Sequence, residues 1–188
     1  MKCGIDEAGR GPLAGPLVVA GVVIKKEIKG LNDSKKLTEK KREELFDVII
    51  KNSDFHIVFK SAKEIDEKGI SFCLKSSILE IMENIEANSY LMDGNTSFGI
   101  STLEHKIKAD ATEKEVSAAS ILAKVSRDRF MCEIASKYPN YNFEKHKGYG
   151  TQEHVEAIKK FGRSELHRKS FKLKALGEES LGVQKTLF

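Results

Sequence analysis

Two carboxylates stand side by side near the head of this sequence, Asp6-Glu7, behind a short apolar run, Cys3-Gly4-Ile5. A glycine-flanked arginine, Gly9-Arg10-Gly11, follows closely. Hard oxygen ligands at the end of a strand suit Mg²⁺ or Mn²⁺, and flanking glycines leave peptide N–H groups open to an oxyanion. The pattern reads as a metal site beside a phosphate site. The same residues also fit a salt-bridged surface pair next to an ordinary turn. Two further acids share the placement. Asp93 closes Tyr90-Leu91-Met92 and precedes Gly94, and Asp110 follows Ile107-Lys108-Ala109. Taken singly, Asp93 fits a turn and Asp110 a helix start favoured by the dipole. Strand-end carboxylates on neighbouring parallel strands converge at the rim of an α/β sheet, so Asp6, Glu7, Asp93 and Asp110 together suggest one four-carboxylate site. Such a cluster repels itself, and two divalent ions would relieve the repulsion and serve phosphodiester hydrolysis. One difficulty is geometric. Neighbours on a regular strand face opposite sides, so Glu7 should lie where the strand bends or contribute through its carbonyl.

The elements that must position these acids alternate along the chain. Strands are expected over Lys2–Asp6, Leu17–Ile24, His56–Ser61, Ser89–Asp93 and Glu104–Ala109, each rich in β-branched or aromatic residues. Helices are expected over Thr38–Lys51, capped by Thr38, and over Ile70–Ile85 on its apolar stripe. Another should begin at a Thr112–Glu115 capping box, and a last one should span Thr151–Phe161 and end at Gly162. The third helix keeps Ser117, Ala119, Ser120 and Ala123 small, which lets it lie close to a sheet. The order predicts an α/β sheet with a C-terminal helical extension.

Composition narrows the class. The chain has 188 residues, 40% hydrophobic and 32% charged, as expected for a folded core without disorder. Cys3, Cys73 and Cys132 are odd in number and far apart, which argues against a disulfide framework or zinc site and for a reducing, cytoplasmic setting. The apolar run Leu17–Ile24 is far shorter than the roughly 18 residues of a spanning helix, so no membrane segment is expected. Net charge is +4 but uneven: Lys137–Lys174 holds ten Lys/Arg against four Asp/Glu, interleaved with Tyr138, Tyr141, Phe143, Tyr149, Phe161 and Phe171. Cations among aromatics suit nucleic acid, though a solubilising face over a small helical core has the same composition.

Seven segments carry a family resemblance: GIDEAGRGPLAGPLVVAGVV at Gly4–Val23, LNDSKKL at Leu31–Leu37, MDG at Met92–Gly94, KADA at Lys108–Ala111, SAASILAKVSRDR at Ser117–Arg129, HKGYGT at His146–Thr151 and LHRKSF at Leu166–Phe171. In this order they resemble ribonuclease HII, the type 2 ribonuclease H, in its bacterial form. The resemblance implies a ribonuclease H-like fold with a five-stranded mixed sheet flanked by helices and a small C-terminal helical part. It implies hydrolysis of the RNA strand of RNA–DNA hybrids and incision of duplex DNA 5′ to embedded ribonucleotides, leaving a 3′-hydroxyl and a 5′-phosphate. Asp6, Glu7, Asp93 and Asp110 match the family's catalytic, metal-binding carboxylates, with Mg²⁺ or Mn²⁺ as the two ions. Gly9, Arg10 and Gly11 match the loop that senses the ribose 2′-hydroxyl, the group that distinguishes RNA from DNA. Ser34 and Lys35 match a segment on the backbone around the scissile phosphate, and Tyr149 the tyrosine packed on the following deoxyribose. His167 and Arg168 have no assigned role there; support of the C-terminal part against the sheet is the expectation.

The resemblance divides the chain into a catalytic core at 1–138, a basic helical part at 139–175 and a polar, loose tail at 176–188. Ribonuclease HIII shares the four acids but carries a long N-terminal extension, and with the first strand at Lys2 the type HII form is expected. An inactive nucleic-acid-binding domain of the same fold is the other alternative. The closing Gln184-Lys185-Thr186-Leu187-Phe188 resembles the short peptide by which bacterial repair proteins dock on the sliding clamp, and an ordinary terminus has the same composition. A monomer is expected.

Overall fold

The computed structural model describes residues 1–32 and 34–178, the side chain of Lys35 excepted. Five runs extend and pair, giving β1 (Lys2–Ala8), the valine-rich β2 (Leu17–Ile24), β3 (Ser53–Lys60), β4 (Ser89–Asp93) and β5 (Leu103–Lys106). They form one sheet in the order β3-β2-β1-β4-β5. β1 and β3 pair antiparallel with β2, while β4 is parallel to β1 and β5 to β4. The expected mixed, five-stranded sheet is present. The helices are α1 (Glu39–Asn52), α2 (Ala62–Lys68), α3 (Ile70–Asn84), α4 (Lys114–Ala135), α5 (Phe143–His146) and α6 (Gln152–Phe161).

Both faces of the sheet are covered, which is why β2 reads as unbroken apolar sequence. Leu17, Val19 and Val23 join Cys3, Ile5 and the α3 residues Leu74, Ile78 and Ile81 on one side. Val18, Ala20 and Val22 meet Leu45 and Ile49 of α1 and Ala118, Ile121, Leu122 and Val125 of α4 on the other. The small residues of α4 do let it lie close. A Cβ built on Gly4 would sit 2.2 Å from the Glu115 carbonyl carbon and the Val116 nitrogen, so β1 and the first turn of α4 touch backbone to backbone. No helix among the described residues is long and apolar enough to cross a membrane.

Local chemistry moved three boundaries. The capping box lies at Ser61 and Glu64, where it starts α2, a helix the periodicity reading missed. At the start of α4, Glu113 is the cap residue and makes no side-chain cap bond. Its carboxylate bridges Lys2 (2.9 Å) and Lys106 (2.7 Å) instead, and hydrogen bonds from Lys106 and Lys2 hold its pKa down at about 2. β5 stops at Lys106 because Lys108 adopts a left-handed conformation (φ 59°) that no ladder accepts, and Ala109–Ala111 then form a 3₁₀ turn.

The C-terminal helices pack Tyr141, Phe143 and Ile158 onto Met131 and Ala135 of α4 and onto Leu13 and Ala14, which follow the glycine loop. The chain remains tied through Glu178, whose carboxylate meets Arg163 at 2.8 Å and accepts the Leu173 amide at 2.9 Å. Gln184–Phe188 lies outside the described residues.

Candidate active site

Parallel pairing of β1 with β4 ends at Ile5↔Met92, so Asp6 and Asp93 are the next residues on adjacent strands. Asp110 comes from the 3₁₀ turn between β5 and α4 rather than from a strand end as expected. The three carboxylates each offer an oxygen, and these oxygens lie within 4.8 Å of one another. Asp6 and Asp110 are buried and Asp93 is half-buried.

Each carboxylate is held by neighbours of defined origin. The Glu7 amide donates to Asp6 Oδ1 at 2.8 Å, and the Ser120 hydroxyl of α4 hydrogen-bonds the same carboxyl. Ser120 Oγ is also 2.7 Å from Ser34 Oγ, so the Ser34 turn, α4 and β1 meet in one short chain of polar groups. The Ala109 amide donates to Asp93 Oδ1 at 2.7 Å, which ties the β4 acid to the turn carrying Asp110. The Ser117 hydroxyl donates to the Asp110 carbonyl and fixes that turn against α4. Burial, with Glu7 and Asp93 close by, pushes the Asp6 pKa well above its ordinary value despite these donors. A buried, partly self-repelling set of three oxygen donors is what a divalent cation fits.

Glu7 stands apart from the other three. β1 does not bend at this residue; its ladder with β2 continues through Glu7↔Val19 and Ala8↔Val18. Glu7 is not among the three aspartates whose oxygens converge, yet its charge lies close enough to help raise the Asp6 pKa. It lines the same cleft and approaches Arg10, with Oε1 4.0 Å from Nη1.

That cleft, about 220 Å³, is lined by Asp6, Gly9, Arg10, Gly11, Ser34 and Tyr149 among others, so the expected substrate residues do gather beside the acids. Ser34 is buried there, and Lys35 sits in the same 3₁₀ turn. Gly9 has φ 90° and no room for a side chain, since a Cβ would lie 2.2 Å from Arg127 Nε. Tyr149 is exposed, with the Arg127 guanidinium 5.6 Å from its ring centre.

Sequence reasoning missed the framework behind the cleft. Arg127 is buried and donates to the carbonyls of Pro16 (2.9 Å), Ala14 (3.0 Å) and Lys147 (2.9 Å). Arg168 is buried too and reaches Gly9, Arg10 and Gly15. It ties the C-terminal part to the glycine loop between β1 and β2. Ser117, Ser120, Lys124 and Arg127 recur at helical spacing on α4, a polar stripe that was available in the sequence. His167 belongs to a buried trio with His146 and His154. The Ser164 amide donates to His167 Nδ1 (2.9 Å), His167 and His154 meet Nε2 to Nε2 (3.0 Å), and His154 Nδ1 reaches the Tyr149 carbonyl (2.9 Å). Only neutral rings satisfy this order, with His167 donating to His154 and His154 to Tyr149.

Comparison with known proteins agrees with this geometry. A family model described as Ribonuclease HII matches residues 3–174. Ribonuclease HII of Aliarcobacter butzleri (strain RM4018) is 71% identical over 188 residues, covering 99% of this chain and 98% of that protein. The structure of the PCNA:RNase HII complex from Archaeoglobus fulgidus superimposes with a TM-score of 0.80 at 31% identity, covering 92% of this chain and 96% of that one. Ribonuclease H2 from Pyrococcus horikoshii OT3 gives a TM-score of 0.77 at 31% identity, covering 91% and 93%.

Proposed function

The chain belongs to the ribonuclease HII family and is a type 2 ribonuclease H, and from that premise we propose that it cuts the RNA strand of RNA–DNA hybrids and incises duplex DNA 5′ to embedded ribonucleotides. The observation that carries the reading is the convergence of Asp6, Asp93 and Asp110 within 4.8 Å, beside a cleft lined by Gly9–Gly11 and Tyr149.

Asp6, Asp93 and Asp110, with Glu7 at the margin, would hold the divalent cations. Two such ions, Mg²⁺ or Mn²⁺, would supply the charge that activates an attacking water and stabilises the leaving 3′-oxygen. The protein's own groups set the stage for that chemistry. Ser120 and the Ala109 amide orient the carboxylates before metal arrives. The loop at Gly9–Gly11 offers backbone donors to the ribose and phosphate, with the Arg10 cation beside them. Tyr149 supplies an exposed ring for the sugar that follows, so that a junction from RNA to DNA is recognised. Ser34, with Lys35 in the same turn, would meet the backbone around the cut.

The test is a duplex DNA bearing one ribonucleotide, with all-DNA and hybrid controls, in Mg²⁺, Mn²⁺ and EDTA. A metal-dependent nick 5′ to the ribonucleotide is expected. Cleavage of the hybrid alone would overturn the junction reading, and absence of any cleavage would leave a binding domain. We also propose that Gln184–Phe188 docks on a sliding clamp. The clamp complex of the A. fulgidus protein supports this by analogy, and equal clamp binding by a chain lacking those residues would refute it.

A further inference from the structure

Arg168 is fully buried, and four hydrogen bonds run from its guanidinium to three carbonyls of the loop between β1 and β2. Nη2 reaches Gly9 (2.6 Å) and Gly15 (2.9 Å), Nη1 reaches Arg10 (3.1 Å), and Nε reaches Gly15 (3.1 Å). The same segment closes on the loop by main chain, with the Arg168 amide donating to the Leu13 carbonyl at 2.8 Å and Ala14 bridging to His167. The loop is therefore clamped at both ends by residues more than 150 positions away in sequence.

The direction of those carbonyls has a consequence for the amides. Every described peptide is trans, so the C=O and N–H of one unit point opposite ways. The Gly9 carbonyl belongs to the unit that carries the Arg10 N–H, and the Arg10 carbonyl to the unit that carries the Gly11 N–H. With both carbonyls turned inward to a buried guanidinium, both N–H groups turn away from it. Gly9, Arg10 and Gly11 line the cleft that holds Asp6, and nothing lies within 4 Å of a Cβ built on Gly11. Two successive amides turned away from the guanidinium, in a segment that lines the cleft, make a pair of donors for a hydroxyl or a phosphate oxygen.

We infer that Arg168 is a positioning residue that turns the Arg10 and Gly11 amides toward the substrate and thereby sets the preference for a ribonucleotide over a deoxyribonucleotide. This rests on the reading above that the Gly9–Gly11 loop contacts the ribonucleotide. Arginine suits the task because its rigid planar fork aims donors from three separate nitrogens in fixed directions, whereas a lysine ammonium offers its donors from a single point. Arg168 thus acts on specificity through the loop it holds.

The experiment compares binding of a duplex with one ribonucleotide and an otherwise identical all-DNA duplex, in Ca²⁺, whose looser coordination fills the carboxylates without the tight geometry hydrolysis needs. Wild type should prefer the ribonucleotide duplex. In Arg168→Lys that preference should fall by about tenfold toward parity, the equivalent of one or two lost hydrogen bonds. Affinity for the all-DNA duplex should move less than about twofold. Equal weakening on both duplexes, or an unchanged preference, would overturn the inference. If Arg168→Lys does not melt cooperatively, Gly11→Pro decides, since it removes one of the two amides at a position with free space and no positive φ. An unchanged preference there overturns the proposal. Absence of any preference in wild type would instead sink the underlying reading of the loop.

Discussion

The Arg127 guanidinium lies 5.6 Å from the centre of the Tyr149 ring while donating to the Lys147 carbonyl two residues earlier. Helix α4 therefore positions both sides of the cleft. Its Ser120 holds Asp6, and about two helical turns further on its Arg127 holds the Gly9–Pro16 loop and the loop carrying Tyr149. A rigid helix packed backbone to backbone on β1 links the carboxylates to the sugar-facing residues, so the distance between them is set by the core rather than by loop flexibility.

Asp93→Asn should reduce cleavage at least about 10³-fold with substrate binding largely kept, because the amide retains the Ala109 hydrogen bond but not the negative charge a cation needs. Single-turnover cleavage alongside an equilibrium binding assay measures both. Substantial turnover in the mutant would remove Asp93 from the metal set.

Asp6→Asn should stabilise the metal-free protein while abolishing activity. Burial and neighbouring carboxylates raise the Asp6 pKa, so the ionised form disfavours the folded state at neutral pH. Removing the charge should be seen as a rise in Tm in EDTA. Added Mg²⁺ should raise the wild-type Tm and leave the mutant nearly unmoved. A mutant less stable than wild type in EDTA would contradict this account.

Tyr149→Ala should fold normally, since the ring is 43% exposed. Incision at a single ribonucleotide should fall about tenfold or more beyond any loss on long hybrids, from the lost ring contact. Kinetics on the two substrates decide, and an equal loss on both would end the junction role.

Stability should decline as pH falls from about 6.5 to about 4. Burial drives the His154 and His167 pKa values down to about 4, while in the unfolded chain both titrate near 6.5. Between those values the unfolded state binds more protons, so stability rises with pH; below the folded values the slope from these groups vanishes. The total is on the order of a few kcal/mol. Urea unfolding at stepped pH tests it, with His154→Gln expected to flatten the slope. An identical slope in that variant would refute the assignment.

Arg127→Met should cost about 3 kcal/mol or more, because it strands the carbonyls of Pro16, Ala14 and Lys147 in a buried setting. Chemical denaturation measures it. A loss under about 1 kcal/mol would mean that those carbonyls find other partners.

What could be read from sequence alone was whatever local periodicity and turn chemistry determine. β2 and β4 lie where their apolar runs place them, and α1, α3 and α6 follow their stripes and caps to within a residue or two. The acids Asp6 and Asp93 were legible because each ends or follows an apolar run, and the family resemblance followed from motifs in order. Long-range contacts decided the rest. Whether Glu113 caps a helix or binds Lys2 and Lys106 depends on which strands come to lie beside it. Asp110 joins the site through a left-handed Lys108 and a 3₁₀ turn, which no strand pattern signals. Glu7 lines the cleft without joining the three-aspartate set, because β1 continues its ladder with β2 past both Asp6 and Glu7 and does not bend there. Arg127 looks in sequence like one more polar residue of a helix, and Arg168 like one more cation in a basic region. Only folding buries them against the carbonyls of a distant glycine loop, because a hydrogen-bond partner more than a hundred residues away leaves no mark on local spacing.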